Sequence, residues 1–466
     1  MSSEVIRLSG PDAAFMYGED QRIPLHVGSL GIMEAAPLRD ASGALDLPRL
    51  RRNIENRLEL VPMFRKKFAE VPFDQGRPVW VDDANFKIAN HVHAVALPKP
   101  GGRRELLELM GRLQSTMLDR TLPLWELYFV EGLEDASQVA LIARVHHAMI
   151  DGTSGVELSS VLFDLTPEIT QVETEPRSPV EEPSPARLLA GAWWDRTAAA
   201  FRNVEALIEA IRTPSKPAAH ALKFARAMSS IAPDIDTLPF NARVGSRRVF
   251  ANASVPLDDV LAAKRAFGVK LNDIVLAAVT GALRRYCLAH DIDPAGLTRV
   301  RAMCPVDNRA PGDTSMGTDV SSMFVELPIN EADPARRVQL VAEHSRRLKD
   351  QDVADGANMW ARVLGQLPVP LLKLASRLQF RGLMSQGNIL VSNVRGPTQA
   401  FYCNGAKVHA FYPFFGVQDG LGLNLVLISY AGQLLIGVGA DADLVPDVDE
   451  FAESLTKAFN ELSAVV

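Results

Sequence analysis

A short apolar run ending in two adjacent histidines restricts how this 466-residue chain can fold. Residues 139–143 are Val-Ala-Leu-Ile-Ala, a length typical of a buried strand and short for a helix. His146 and His147 follow two residues later, and Asp151 and Gly152 come four and five residues after His147. The pattern predicts a strand followed by a tight turn. Catalytic side chains often lie on such turns, because the strand behind them is rigid.

The residue types at this turn indicate proton transfer. A neutral imidazole can accept a proton near pH 7, so one of the two histidines is a candidate general base. Asp151 could brace the turn through an ion pair, which would leave the imidazole free. A metal site built from His146, His147 and Asp151 is disfavoured, because adjacent residues on a strand point to opposite faces. We therefore expect no metal.

Length and composition favour a globular protein of two domains. A chain of 466 residues is too long for one ordinary core, and 47% hydrophobic with 23% charged residues is a globular composition. A net charge of -7 argues against a general nucleic-acid binder. No apolar run is long enough to predict a membrane-spanning helix, and the N-terminus lacks the layout of a signal peptide. Three widely spaced cysteines suit a reducing cytoplasm, and Cys304 is expected to be a small buried residue rather than a nucleophile.

A change of composition suggests where the domains meet. Residues 166–186 hold five prolines and several glutamates, which is typical of a linker. We therefore predict a first domain over residues 1–165, a linker with crossover helices over 166–240, and a second domain over 241–466. Trp193 and Trp194 give the crossover region an apolar stripe beside arginines. Packing on the protein body is the favoured interpretation, and a membrane-surface role is the alternative.

Several motifs together resemble a known family. His-His-x-x-x-Asp-Gly at residues 146–152 resembles the signature of chloramphenicol acetyltransferase-like acyltransferases and of peptide-synthetase condensation domains. With Pro123-Leu124-Trp125 upstream, the chain resembles the bacterial wax ester synthase/diacylglycerol acyltransferase family. In that family the second histidine, His147 here, deprotonates the acceptor alcohol. The stretch at residues 64–68 resembles a motif whose arginine pairs with the signature aspartate, which makes Arg65 the expected partner of Asp151. A solvated basic strand is the alternative.

The second half adds further resemblances. Asn272 and Asp273 match an Asn-Asp motif whose asparagine is implicated in activity. Asn272 is also a good N-cap for a helix over residues 274–288, and a helix start suits a developing oxyanion. In the stretch that usually reads Gly-Asn-x-x-Ser, Thr318 replaces the asparagine, which puts that contact in doubt. The residues expected along the substrate channel are Gly152, Trp125, Asp273, Asn308, Ser321 and Asn393.

The resemblance implies both a fold and a reaction. The implied fold is α/β, with two chloramphenicol acetyltransferase-like domains of mixed sheets flanked by helices and an active-site channel at their interface. The implied enzyme is an O-acyltransferase that moves a long-chain acyl group from acyl-CoA to diacylglycerol or a long-chain alcohol. Acyl-CoA is then a co-substrate, and no cofactor is expected. The implied location is cytoplasmic, peripheral to the inner membrane or lipid droplets. The sequence does not indicate an oligomeric state.

Two alternatives stay open at this point. One is a condensation-type enzyme that uses carrier-bound acyl groups, since it shares the histidine signature. The other is a non-catalytic lipid-binding paralogue, which Thr318 mildly favours and the intact signature opposes.

Overall fold

Two six-stranded mixed sheets form the framework of the protein. The structure is a computed structural model, and it describes residues 5–149, 162–172, 181–194, 197, 235–307, 320–350, 364, 367–383 and 386–465. The strands of the first part of the chain are β1 (Ile6–Arg7), β2 (His26–Glu34), β3 (Lys66–Ala69), β4 (Val79–Asp82), β5 (Val92–Ala96), β6 (Trp125–Glu131) and β7 (Gln138–His146). Those of the later part are β8 (Arg248–Pro256), β9 (Arg301–Asp307), β10 (Val320–Glu326), β11 (Ile389–Val394), β12 (Tyr402–Cys403), β13 (Ala406–Phe415), β14 (Leu423–Tyr430) and β15 (Gln433–Asp441).

The strand that carries the histidine pair is central in the first sheet. The order of that sheet is β12-β13-β2-β7-β6-β5, and β7 pairs antiparallel with both β2 and β6. This confirms the predicted strand and its hairpin with β6. Because both faces of β7 are covered, its side chains are buried almost without interruption from Val139 to His146. The two histidines therefore lie at the end of a strand that is buried and paired on both sides.

One strand pair from the second half of the chain completes the first sheet. β13 pairs antiparallel with β2, with Phe415 opposite Val27 and Phe411 opposite Gly31. Residues 402–415 thus belong structurally to the first lobe, although the predicted second domain spans 241–466. The chain crosses back at once, and β13 comes so close to β15 that a Cβ at Gly437 would lie 1.8 Å from the carbonyl oxygen of Pro413. Only glycine fits there.

The second sheet has the order β10-β9-β11-β14-β15-β8, with β11 parallel to both β9 and β14. Period-two alternation divides its side chains between two faces. Leu423, Leu425 and Leu427 of β14 enter a core shared with helices, whereas Ile428 and Tyr430 join the core of the first lobe. Asn424 donates from Nδ2 to the carbonyl oxygens of Phe415 and Gly416, at 3.0 and 2.9 Å. The second sheet therefore contacts the first lobe directly.

Helices cover the outer faces of the sheets. They are α1 (Gly10–Gly18), α2 (Leu47–Arg57), α3 (Arg103–Gln114), α4 (Leu257–Phe267), α5 (Leu271–Ala289), α6 (Pro334–Asp350), α7 (Val369–Leu378) and α8 (Val448–Ala464), with a further helical stretch at residues 185–194. None of the described helices is by itself long and apolar enough to cross a bilayer; α4 and α5 together meet the length and composition, with a bend of 103° between them.

The start of α5 differs from the prediction. The N-cap is Lys270 rather than Asn272, and the carboxylate of Asp273 accepts the Lys270 N–H at 2.9 Å. The prediction of Asn272 as the N-cap was therefore wrong. Asp273 lies at the third helical position, where an acidic side chain reaches back to the cap, so its capping box sets the start of the helix.

Candidate active site

The backbone of the histidine pair is held by strands on both sides. A short 3-10 turn, His147–Met149, follows directly after β7. The His146 N–H donates to the Leu124 carbonyl at 2.9 Å, and the His147 N–H donates to the Leu25 carbonyl at 2.9 Å. The turn therefore starts from a fixed position at the end of a central strand of the first sheet.

Two aromatic side chains hold the imidazole of His147. The ring of Phe15, from α1, stacks on it with centroids 3.8 Å apart and an angle of 20° between the planes. The ring of Phe415, at the end of β13, meets it edge-on at 5.4 Å. Nδ1 of His147 is buried and has no hydrogen-bond partner of good geometry within the described residues. These contacts fix the plane of the ring.

His146 is engaged in supporting the turn. Its Nδ1 accepts the Ala148 N–H at 3.1 Å, so the proton of the neutral ring lies on Nε2. That Nε2 faces Oε2 of Glu19 at 3.4 Å, and the side chain is buried. Because one nitrogen of His146 is hydrogen-bonded and the other faces a buried carboxylate, His146 is placed to position the turn.

Glu19 is the centre of a buried polar cluster that the sequence did not predict. Its carboxylate accepts the Leu25 N–H at 3.1 Å and a hydrogen bond from Arg120 at 2.8 Å, and it faces His26 at 3.4 Å as well as His146. Burial raises the pKa of Glu19, but its hydrogen bonds and charge interactions with the two histidines outweigh burial and hold the pKa well below its usual range. Glu19 is therefore a buried carboxylate that ties α1 to the histidine turn.

The protonation of His147 gives a first testable result. Burial, with a smaller contribution from His146, lowers the pKa of His147 to about 3, while a hydrogen bond involving its own backbone opposes the shift. The ring is thus neutral at pH 7 and stays neutral as the pH falls well below the ordinary histidine value of about 6.5. We expect kcat/KM, measured with acyl-CoA and a soluble alcohol, to stay level from about pH 8 down to about pH 5. A loss with a midpoint near 6.5 would show that His147 titrates as an exposed histidine.

The partner of Arg65 remains a prediction, because Asp151 and Gly152 lie outside the described residues. Arg65 donates to the Glu55 carbonyl at 3.0 Å, and its guanidinium lies 3.4 Å from Glu59. Its side chain is only 12% exposed, which is not the solvated position of the alternative interpretation.

Trp125, which was predicted to line the channel, is enclosed in the first lobe. Trp125 is 1% exposed; its indole N–H donates to the Phe64 carbonyl at 2.7 Å, and its ring stacks on His91 at 4.6 Å. A side chain enclosed in this way belongs to the core of the first lobe. An aromatic residue at the start of a strand fits either position from sequence alone.

The channel residues expected in the second half are not joined to His147 by any hydrogen bond within the described residues. Asn272 and Asp273 lie in the first turn of α5, which packs against α8, α6 and α4. Asn393 shares its face of β11 with Ile389 and Val391, which enter the helix-covered core, and not with Leu390. Ser321 lies in β10 opposite Val306. Asn308 and Thr318 lie outside the described residues.

A cavity of about 10 Å³, room for no more than about one water molecule, lies beside Phe415, between the first lobe and the second sheet. Its lining residues are Leu390, Phe415, Gly416, Gln418, Leu421 and Asn424. Phe415, which contacts His147, also lines this cavity. The histidine turn therefore lies at the junction between the lobes, together with α1, the end of β7 and the end of β13. Within the described residues, no group of histidine, cysteine or carboxylate side chains could hold a metal ion.

Solved structures of other proteins share the architecture of this chain. The chain is similar over 99% of its length to a trichothecene 15-O-acetyltransferase from Fusarium sporotrichioides (TM-score 0.63, 12% identity, 95% of that chain). It is also similar to the first condensation domain of the CDA synthetase (TM-score 0.59, 15% identity, 99% of this chain and 97% of that one). The chain therefore has the two-lobed α/β fold of these structures, which confirms the predicted fold.

Sequence comparison narrows the class to one family. Residues 8–275 match the wax ester synthase/diacylglycerol acyltransferase catalytic domain, and residues 316–463 match the C-terminal domain of the same family. A protein of Mycobacterium tuberculosis named as a diacylglycerol O-acyltransferase is 31% identical over 463 residues, which cover 98% of this chain and 90% of the relative. The wax ester synthase/diacylglycerol acyltransferase from Marinobacter aquaeolei VT8 has a TM-score of 0.69 at 24% identity, with 99% of both chains covered. The chain belongs to the wax ester synthase/diacylglycerol acyltransferase family, which confirms the resemblance and the prediction of an acyltransferase.

Proposed function

We propose that this acyltransferase moves a long-chain acyl group from acyl-CoA to the hydroxyl of diacylglycerol or of a long-chain alcohol, with His147 as the general base. The observation that carries this proposal is the state of the His147 ring. It is neutral, it stacks on Phe15 and meets Phe415 edge-on, and its Nδ1 has no hydrogen-bond partner in the described part of the chain, whereas Nδ1 of His146 accepts the Ala148 N–H. Family membership supplies the substrate classes.

The chemistry follows from the donor. A thioester is already activated, so the acceptor oxygen can attack its carbonyl carbon without a covalent enzyme intermediate, and the chain needs no cofactor for this step. Nε2 of His147 takes the hydroxyl proton as the carbon–oxygen bond forms. The tetrahedral intermediate then collapses, the carbon–sulfur bond breaks, and the imidazolium returns the proton to the CoA thiolate. General base catalysis of this kind contributes typically about 10²–10⁴-fold.

Asn272 is our candidate for stabilising the oxyanion. It lies in the first turn of α5, where unpaired N–H groups and the positive end of the helix dipole favour negative charge. One well-placed donor at such a position is worth roughly 10²–10³ in kcat. Asp151 and Arg65 remain the proposed brace of the histidine turn.

An assay of thiol release separates this function from its alternatives. Purified protein is given palmitoyl-CoA with diolein, with hexadecanol, or with no acceptor, and free CoA is measured. We expect release that depends on the acceptor. The same acyl group on a carrier protein should react at least about tenfold more slowly, since a site that binds CoA loses those contacts with another donor.

Each alternative predicts a different result in that assay. A condensation-type enzyme would prefer the carrier-bound donor, and a lipid-binding paralogue would release no thiol while still binding palmitoyl-CoA. Either result would contradict the proposed function.

The substrates also support the proposed location. Diacylglycerol and long-chain alcohols partition into lipid, so an acceptor has to be taken from a lipid surface. We therefore propose that the enzyme acts from the cytoplasm at the periphery of the inner membrane or of lipid droplets.

A further inference from the structure

An exposed apolar stripe runs along α7. Leu371, Leu374 and Leu378 are spaced three and four residues apart, so they share one face of the helix, and all three are exposed. The opposite face, with Leu372 and Ser376, is buried against the first lobe. A helix that is apolar on both sides is expected to be covered on both.

A turn beside α7 exposes a further large apolar side chain. Phe73 is 84% exposed and has a φ of 58°, a left-handed conformation that bulky residues rarely adopt. The next residue, Asp74, accepts a hydrogen bond from Lys373 of α7 at 2.7 Å. This bond ties the turn that carries Phe73 to α7.

The helical stretch at residues 185–194 lies against the same turn. Leu188 and Ala192 pack with Val71 and Val79, and a Cβ at Gly76 would lie 2.9 Å from that of Ala192. Trp193 and Trp194 are nevertheless 65% and 76% exposed. The prediction that these tryptophans pack on the protein body was therefore wrong, because their helix uses its other residues for packing.

The charge of this surface points to an anionic partner. Residues 369–381 contain three basic side chains and no acidic one, in a chain whose net charge is -7. Of the three, Lys373 faces the carboxylates of Asp74 and Glu70 at 2.7 and 4.0 Å, whereas Arg377 and Arg381 are exposed. Exposed tryptophan, phenylalanine and leucine beside arginine are the composition of helices that lie in a membrane interface, and anionic lipids attract such basic residues.

The residue that follows shortly after α7 contacts an aromatic side chain beside His147. Phe380 follows α7, and its ring lies 5.4 Å from that of Phe15, which stacks on His147. Phe380 also fills the space beside Gly18, where a Cβ would lie 2.0 Å from its ring. The C-terminal end of α7 is thus separated from His147 by two aromatic side chains.

We propose that these residues form a lipid-docking face, which binds an anionic bilayer surface and lets an acceptor lipid pass from it along Phe380 and Phe15 to His147. The members of the face are Phe73, Trp193, Trp194, Leu371, Leu374 and Leu378, with Arg377 and Arg381 at its edge. Docking stands on the exposed residues alone, whereas delivery of an acceptor rests on the proposed function.

The test of docking is sedimentation of the full chain with vesicles. We expect wild-type protein to bind vesicles of phosphatidylcholine with phosphatidylglycerol, and to bind phosphatidylcholine alone more weakly. The triple variant Leu371→Ser, Leu374→Ser, Leu378→Ser loses about tenfold or more in vesicle affinity, because each leucine buries methylene groups in the acyl boundary. Arg377→Gln and Arg381→Gln each lose about fivefold, and only on the anionic vesicles.

Matched controls come from the other lobe. Leu288 is exposed to the same degree as Leu371, and Arg347 is an exposed arginine on α6, so Leu288→Ser and Arg347→Gln should bind vesicles as the wild type does. Docking is overturned if the wild type does not sediment, if the triple variant sediments equally well, or if the face instead forms a dimer that the triple variant abolishes.

Activity separates docking from catalysis. With acyl-CoA and a short soluble alcohol, the triple variant should match the wild type, whereas with diacylglycerol in anionic vesicles its rate should fall by about the same factor as its binding. Equal rates on vesicles would overturn the delivery step. A wild type that sediments but transfers no acyl group to any acceptor would contradict the proposed function and leave docking standing.

Discussion

Replacement of His147 by alanine is expected to lower kcat/KM for acyl transfer by about 10²–10⁴-fold, the usual contribution of a positioned general base. The imidazole lies at the end of a central strand and is neutral at pH 7, so its removal takes away the group that we propose as acceptor of the hydroxyl proton. His147→Gln tests the same role while it keeps most of the volume between Phe15 and Phe415. Steady-state rates of CoA release, with circular dichroism of each variant, measure the effect.

The control for this experiment lies on a strand of the same sheet. His409, on β13, is partly exposed and far along the strand from Phe415, so His409→Ala should keep nearly the wild-type rate. Near-normal turnover by a folded His147→Ala variant would refute the base assignment.

Replacement of Glu19 by alanine should have the largest effect on stability. The change leaves Arg120, His26 and His146 around a buried space without their carboxylate, and breaking such a cluster from one side costs about 3–5 kcal/mol. Because Glu19 also faces His146, whose other nitrogen holds the turn, acyl transfer should fall as well. Urea unfolding at pH 7 measures the stability. As a control, Glu131→Ala removes a half-exposed ion pair with Arg39 and should cost no more than about 1 kcal/mol.

The pH dependence of unfolding tests the charge on Glu19. The folded-state pKa of Glu19 is depressed, so its contribution is present above the unfolded value of about 4.5 and is lost as the pH falls below it. Burial also depresses the pKa of His26, which makes folding less favourable as the pH falls below about 6.5, since the unfolded histidine then binds a proton. In Glu19→Gln the contribution of the Glu19 carboxylate should be absent. The free energy of unfolding should therefore change less steeply with pH between about pH 5 and pH 3. An unchanged slope would mean that Glu19 is not ionised in the folded protein.

Local patterns in the sequence predicted the elements that local physics determines. The apolar run before His146 has the length of a buried strand, and the intervening turn residues led to the hairpin with β6. The closing helix followed from its apolar spacing and is α8 of the structure. The motif at His147 together with the other motifs along the chain then indicated the family, because the chemistry depends on residue types at fixed spacing.

Other features depend on tertiary contacts that no local pattern contains. The pairing of β13 with β2 joins segments almost four hundred residues apart, and it alone brings Phe415 to His147. Trp125 has the same local sequence whether it faces a channel or a core. The sequence does contain one sign of the role of Glu19. An acidic residue at the C-terminal end of α1 meets the negative end of the helix dipole, so such a residue suggests that cations or hydrogen-bond donors lie nearby.

The return of β13 to the first sheet restricts how substrates can reach the catalytic histidine. A clamshell motion that swings the two halves apart would have to break the ladder between β13 and β2, and would withdraw Phe415 from the ring that it orients. The halves are therefore expected to stay joined throughout turnover, so that acyl chains are admitted by rotation of aromatic side chains such as Phe15 and Phe380. In such an enzyme the size of these aromatic side chains, rather than the amplitude of a hinge motion, would set the rate at which acyl chains enter.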